Sequence, residues 1–133
     1  MYSDAIIGNN TIINNTVSGI QNIQCSNATI DSNTISYNGI GIKCELYSSP
    51  VITFNNITFN QIGILSESGS NAPVHWNNIH NNSNYNVSNL DDTINISAIH
   101  NYWGSDPPND DGFNGPVDYR FWEAVPIEEA GPG

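Results

Sequence analysis

Residues 30–42, IDSNTISYNGIGI, return one repeat later as residues 52–64, ITFNNITFNQIGI. The likeness extends along the chain as a column of asparagines, whose successive spacings by subtraction are 23, 22, 22 and 24 residues. Apolar residues hold fixed places on both sides of this column. A repeat this regular predicts stacked coils and not a compact mixed fold. The asparagines of the column are Asn10, Asn33, Asn55, Asn77 and Asn101.

The composition of the repeat predicts short strands separated by turns. Each repeat is too short for a pair of helices, and it is rich in isoleucine, threonine and asparagine with interspersed glycine. A strand that recurs once per coil pairs in parallel with its copy in the next coil, about 4.8 Å away. Isoleucines then fill a continuous interior, and stacked asparagine amides can bond along the ladder at the bends. A second such column is formed by Asn15, Asn38, Asn60 and Asn82.

We therefore predict an all-β fold, a right-handed single-stranded parallel β-helix of four to five coils. The handedness follows the strong preference of parallel crossover connections. In coil four, Asn84, Tyr85 and Asn86 replace isoleucine and glycine, so the third strand of that coil is expected to be lost. The coils are expected at about 4–26, 27–49, 50–71 and 72–96, with a partial fifth coil over 96–104.

The remaining sequence predicts the domain organisation. Residues 1–104 form the solenoid, which starts in register and is expected to be the C-terminal part of a longer one. Residues 105–127 contain prolines, acidic residues and aromatics, and are expected to cap the last apolar rung. Residues 128–133, EEAGPG, are typical of a linker or tail.

Charge restricts the partners. Two basic residues against thirteen acidic ones give a net charge of -11, which repels nucleic acid and anionic lipid surfaces. No apolar run reaches the length of a membrane span, so membrane insertion by this chain is not expected. Cys25 and Cys44 fall in different columns, which leaves two alternatives, a disulfide between neighbouring coils or two separate thiols.

The repeats, together with NYWG at residues 101–104 and GPVDY at 115–119, resemble the parallel β-helices of the pectate-lyase-like superfamily. Within it the chain is closest in style to adhesin-like surface proteins. The resemblance implies the fold over nearly the whole chain. It leaves the function open, because the superfamily includes polysaccharide lyases, glycoside hydrolases and adhesins.

The resemblance directs attention to carboxylates and basic residues. Lyases of this fold use calcium and a basic residue for proton abstraction, and glycosidases use paired carboxylates. Glu45 and Glu67 align one coil apart beside Lys43, which makes these three the catalytic candidates. A pair of solvated side chains is the simpler interpretation, and a divalent-cation site is a further alternative. The three stacked aspartates typical of the hydrolases have no counterpart here, because Asp31 is followed in its column by Thr53 and His75.

Two further groups of residues contain metal-ligating side chains. Asp106, Asn109, Asp110 and Asp111 bring hard oxygen ligands together and form a candidate calcium site, with a solvated acidic loop as the alternative. No other cofactor is indicated. His75, His80 and His100 occupy different columns without cysteine or carboxylate companions at ligand spacing, so ordinary surface or ladder histidines are expected.

Aromatic residues also recur in columns. Phe54 and Trp76 share one column and Tyr37 and Phe59 another. Counted by strand alternation from Ile52 and Ile57, Phe54 and Phe59 point to the core, which predicts interior stacks. Exposed stacks that bind sugar are the alternative, since bends at the asparagines would break the alternation.

Together these features favour a non-enzymatic structural or adhesive surface module, extracellular and part of a larger protein. Its expected partners are a polysaccharide or a cell-surface protein. One alternative is a polysaccharide lyase or glycoside hydrolase, or the remnant of one. The other is a self-assembling subunit in which copies stack end to end on an open rung.

Overall fold

The structure is a computed structural model that describes residues 4–133. It confirms the prediction of an all-β solenoid, with about five turns of parallel strands and almost no helix. Nothing helical among positions 4–133 has the length and apolar character needed to cross a bilayer.

Each of the first four coils contributes three short strands, and the chain ends in a small cap. The strands are β1 (Ile6–Gly8), β2 (Thr11–Ile13), β3 (Ser18–Asn22), β4 (Thr29–Asp31), β5 (Thr34–Ser36), β6 (Ile40–Cys44), β7 (Val51–Thr53), β8 (Asn56–Thr58), β9 (Ile62–Ser66), β10 (Val74–His75), β11 (Asn78–His80), β12 (Tyr85–Asn89), β13 (Ile96–Ser97), β14 (Phe113–Asn114) and β15 (Val117–Asp118), with a 3₁₀ helix (Asp110–Gly112) between β13 and β14.

Three parallel sheets run along the solenoid, one for each strand of the coil. They have the orders β1-β4-β7-β10, β2-β5-β8-β11 and β3-β6-β9-β12-β14, and β13 pairs with β15. The register is the one that the repeat predicts, since Ile30 pairs with Ile52 and Ile42 with Ile64. These stacked isoleucines are fully buried and form the centre of the core.

The two asparagine columns form hydrogen-bonded ladders inside the bends. The backbone N–H of Asn55 donates to Asn77 Oδ1 at 2.9 Å, and Asn55 Nδ2 donates to the carbonyl oxygen of Ile30 at 2.9 Å. In the second ladder, the backbone N–H of Asn38 donates to Asn60 Oδ1 at 3.0 Å. The amides thereby satisfy backbone groups that the bends remove from the sheets.

The fourth coil corrects one expectation from the sequence. Its third strand is present as β12, in which Tyr85 pairs with Ile62 and Val87 pairs with Ile64. Parallel pairing uses the backbone, so the polar side chains do not prevent it, and Val87 is fully buried in the core. The spacing of these pairs is 85 − 62 = 23 residues, against 62 − 40 = 22 for the preceding coil. The turn before β12 therefore contains one additional residue, and β12 still pairs in parallel with β9.

Aromatic rings pack over the C-terminal end of the core. Trp103 is buried, and the ring of Phe113 meets it edge-on at a centroid distance of 4.7 Å. Phe113 in turn stacks on Tyr119 at 3.8 Å. This end of the apolar core is therefore covered by the chain's own side chains.

Candidate functional site

The residue before each asparagine of the first ladder has a left-handed backbone. Phe54, Trp76 and His100 have φ values of 55°, 62° and 60°, and Phe121 at the next level has 54°. The second ladder shows the same feature, with φ values of 59° at both Tyr37 and Phe59. A left-handed residue turns the chain sharply between two strands, so the side-chain alternation is interrupted at each of these places.

This bend overturns the prediction that the aromatic stacks lie inside. Trp76 is 39% exposed, Phe59 50% and Tyr37 60%, and Phe54 is only partly buried. The asparagine that follows each of them points inward instead. The alternative arrangement of exposed stacks is therefore the one that the structure shows, while sugar binding by them stays a prediction.

We call Phe54, Trp76, His100 and Phe121 the outer row. Trp76 and His100 stack at a centroid distance of 4.8 Å with their planes 5° apart, and His100 and Phe121 stack at 6.1 Å. One face of the Trp76 indole is thus covered by His100. Among residues 4–133 no aromatic ring stacks on its other face, which is on the side of Phe54.

The other exposed pair, Tyr37 and Phe59, stacks at 5.4 Å with planes 6° apart. Each ring therefore covers one face of its neighbour. These two residues lie at the second ladder, away from the outer row, and they offer a natural comparison for it.

The last residues of the chain do not leave the domain as the expected linker. Residues 123–133, which we call the tail segment, run back along the outside of the coils. The backbone N–H of Ile127 donates to Asn78 Oδ1 at 2.7 Å, and Asn78 Nδ2 returns a bond to the carbonyl oxygen of Ile127 at 3.1 Å. Further along, Gly131 N donates to the carbonyl oxygen of Phe54 at 2.9 Å. The tail segment is therefore held by a series of bonds.

A groove of about 640 Å³ lies between the outer row and the tail segment. Phe54 and Trp76 form one part of its lining, and side chains of the tail segment form another. Pockets of this size accommodate small ligands. The lining also contains four carboxylates, contributed by Asp31, Glu123, Glu128 and Glu129.

The chain offers no lysine or arginine to neutralise these carboxylates. Its two basic side chains are paired elsewhere, Lys43 with Glu45 at 3.8 Å and Arg120 with Asp118 at 2.8 Å. Within the groove, Asp31 Oδ1 accepts a bond from Ser32 Oγ at 2.7 Å. The groove thus combines an aromatic face with unneutralised negative charge.

The catalytic candidates from the sequence lie outside this groove. Glu45 and Glu67 directly follow the paired residues Cys44 and Ser66, so they occupy equivalent places on neighbouring coils. Glu45 is held by Lys43 and also accepts a bond from Gln21 Nε2 at 3.0 Å. Part of its hydrogen-bonding capacity is therefore used within the surface itself.

The acidic loop uses its oxygens in local contacts. Asp106 Oδ1 accepts from Trp122 Nε1 at 2.8 Å, and Asn109 Oδ1 accepts from the backbone N–H of Asp111 at 3.0 Å. The hydroxyl of Tyr119 donates to Asp110, and this bond raises the pKa of that tyrosine. Calcium binding here remains a prediction from the sequence.

The thiols and imidazoles are dispersed. Both cysteines are free, and burial raises the pKa of Cys44 to about 12. Burial also lowers the pKa values of His75 and His80, which favours their neutral forms. Among the described residues, no group of three or more histidine, cysteine, aspartate or glutamate side chains is placed to hold a metal ion.

Sequence reasoning found Phe54 and Trp76 but missed the rest of the groove. Asp31 appeared only as an incomplete aspartate column, and the glutamates of the tail segment appeared as part of a linker. The backbone contacts that fold this segment back leave no recognisable motif. The clustering of acidic residues after Trp122 was the one available signal.

Residues 1–117 match a family model described as "Periplasmic copper-binding protein (NosD)". No curated protein and no solved structure gives a significant match.

Proposed function

Since this chain belongs to the NosD family, a family of periplasmic right-handed parallel β-helix proteins, we propose that it is a carbohydrate-binding module. The family description agrees with an extracellular or periplasmic location. The β-helix provides a rigid support, and the groove beside Trp76 holds a sugar chain.

The observation that carries the proposal is the half-exposed indole of Trp76 in a groove lined with carboxylates. The apolar face of a sugar ring packs well on an aromatic face, while its hydroxyl groups need hydrogen-bond acceptors. Most rings of the outer row are stacked on each other, so few faces remain free. The Trp76 side chain lines the groove, where carboxylate oxygens are also available.

The described residues do not fit copper, which the family description names. Copper is held by histidine, cysteine and methionine side chains that converge on one point. Here Cys44 is fully buried and protonated at neutral pH, because its pKa is about 12. His75 Nε2 lies 3.0 Å from Ser97 Oγ, and His100 Nδ1 lies 3.3 Å from Glu123 Oε2. No converging set exists among residues 4–133, and the proposal involves no metal.

The test is a binding assay with defined sugar chains. Purified protein would be titrated calorimetrically with oligosaccharides of glucose, xylose, N-acetylglucosamine and glucosamine. We expect at least one of them to bind, and we expect Trp76→Ala to weaken that binding by about tenfold or more, equivalent to 1.4 kcal/mol.

Phe59→Ala is the matched control, because Phe59 is also an exposed, stacked aromatic residue with a left-handed backbone. Phe59 lies outside the groove, so the Phe59→Ala variant should bind the oligosaccharides as tightly as the unmodified protein does. Absence of binding to every oligosaccharide, or equal losses in both variants, would reject the groove as a carbohydrate site.

A further inference from the structure

The charge of the groove restricts which ligands it can accept. Four carboxylates line it, and no lysine or arginine is among its residues. Both basic side chains of the chain are already paired with their own carboxylates in other places. In a protein with a net charge of -11, a concave acidic surface repels anions and concentrates cations.

The tail segment supplies three of the four carboxylates of the groove. Glu128 and Glu129 are exposed, and neither makes an ion pair within the part of the chain that the structure describes. Glu123 differs, because its Oε2 lies 3.3 Å from His100 Nδ1. The carboxylates of Glu128 and Glu129 are therefore free to pair with a positively charged group on a ligand.

The indole of Trp76 adds to the same preference. A cation over the face of an aromatic ring is attracted by the negative charge of the π-system, and tryptophan is the strongest partner. One face of this indole stacks on His100, and the side chain, which is 39% exposed, lines the groove. Aromatic face and carboxylates are thus both suited to an ammonium group.

We propose that the groove selects sugar chains that carry protonated amino groups, such as oligomers of glucosamine. This proposal rests on the proposed carbohydrate-binding function. The neutral N-acetylated form of the same chain would keep the packing on Trp76 but lose the attraction to the carboxylates. A uronic acid chain would be repelled.

The experiment compares three ligands of equal length, namely oligomers of glucosamine, of N-acetylglucosamine and of galacturonic acid, titrated into the intact protein at pH 6. We expect the glucosamine oligomer to bind about tenfold more tightly than the acetylated one, and the galacturonic acid oligomer not to bind. In about 0.5 M salt the advantage of the amino form should largely disappear, because the charges are exposed.

Two double variants with the same change in net charge locate the effect. Glu128→Gln with Glu129→Gln removes two groove carboxylates, and should abolish the preference for the amino form while the acetylated form binds as before. Glu45→Gln with Glu67→Gln changes carboxylates outside the groove and should keep the preference.

The outcomes separate the two proposals. Equal binding of the amino and acetylated forms would overturn the selectivity and leave carbohydrate binding intact. Loss of the preference in both double variants would also overturn it, since the cause would then be overall charge. No binding of any of the three ligands, nor of the other oligosaccharides, would overturn both proposals.

Discussion

Adjacent residues of the same bend behave in opposite ways. Asn55 and Asn77 are fully buried, whereas Phe54 and Trp76, which directly precede them, lie on the outer surface. Both positions recur once per coil, and both form continuous columns along the solenoid. The inner column is a chain of hydrogen bonds, and the outer one is a row of side chains in contact mainly with each other and with solvent.

The difference shows what fixes the identity of a residue in a repeat. The side-chain amide of Asn55 accepts from Asn33 in the coil before it, and its Nδ2 donates to Asn77 Oδ1 in the coil after it. Few side chains other than asparagine do both in this space. The outer position requires only a residue that tolerates a left-handed backbone. Serine, phenylalanine, tryptophan and histidine all occur there, at Ser32, Phe54, Trp76 and His100. The outer column is therefore where a binding surface can vary without affecting the fold.

Replacing an inner asparagine should have the largest effect. In Asn55→Leu, the buried backbone N–H of Asn33 and the carbonyl oxygen of Ile30 lose their partner. Each unsatisfied buried group costs about 1–3 kcal/mol, so for these two groups we expect a loss of about 2–6 kcal/mol in the free energy of unfolding. Urea denaturation followed by circular dichroism would measure it.

The control is Asn10→Leu at the exposed end of the same ladder, where the side chain lies near solvent. Its cost should stay near 1 kcal/mol, the usual net value of one hydrogen bond. Equal costs at the two positions would contradict the assignment of the ladder as a buried structural element.

Replacing Trp76 should have a smaller effect on the free energy of unfolding. The difference between two substitutions at this position tests the left-handed bend. Trp76→Ala removes an outer ring and its stacking on His100, for an expected cost of about 1–2 kcal/mol. Trp76→Val should cost about 1 kcal/mol more than alanine, because a β-branched residue is disfavoured at positive φ. A Trp76→Val variant at least as stable as the Trp76→Ala variant would contradict the left-handed bend, because a β-branched residue is favoured only in an extended strand. Thermal and urea denaturation of the two variants would decide.

Labelling of the cysteines should distinguish the buried thiol from the partly exposed one. Cys44 is fully buried with a pKa of about 12, so at pH 8 almost none of it is thiolate, whereas Cys25 lies at a bend and is partly exposed. Iodoacetamide should therefore add one label per folded chain and two in denaturant, as read by mass spectrometry. Rapid labelling of both thiols in the folded protein would contradict the burial of Cys44 in the core.

The inner column of asparagines and the core isoleucines could be predicted from the sequence. A column of like residues at a spacing of 22–24 must stack when strands pair in parallel, so the positions of Asn33 and Asn55, and of Ile30 and Ile52, followed directly. The resemblance of the repeats to a β-helix superfamily pointed to the same architecture.

The exposure of the outer column could not be predicted in the same way. Strand alternation holds only while φ and ψ stay extended, and one left-handed residue before each asparagine shifts the count by one. A composition rich in polar residues also concealed β12, because its pairing depends on the backbone and on the single core residue Val87. The tail segment was missed because backbone groups and the amides of Asn56 and Asn78 hold it.

The path of the tail segment has a consequence for how the protein unfolds. Solenoids are held mainly by contacts between neighbouring coils, so they tend to open from an end, one coil at a time. Here Glu123 N donates to the carbonyl oxygen of Asn101, Ile127 is bonded to Asn78, and Gly133 N donates to Asn9 Oδ1 at 3.1 Å. A single peptide segment thus ties together coils that do not touch each other. Separation of the first or the fourth described coil from its neighbours must break bonds to this strap, which couples distant coils and favours cooperative unfolding.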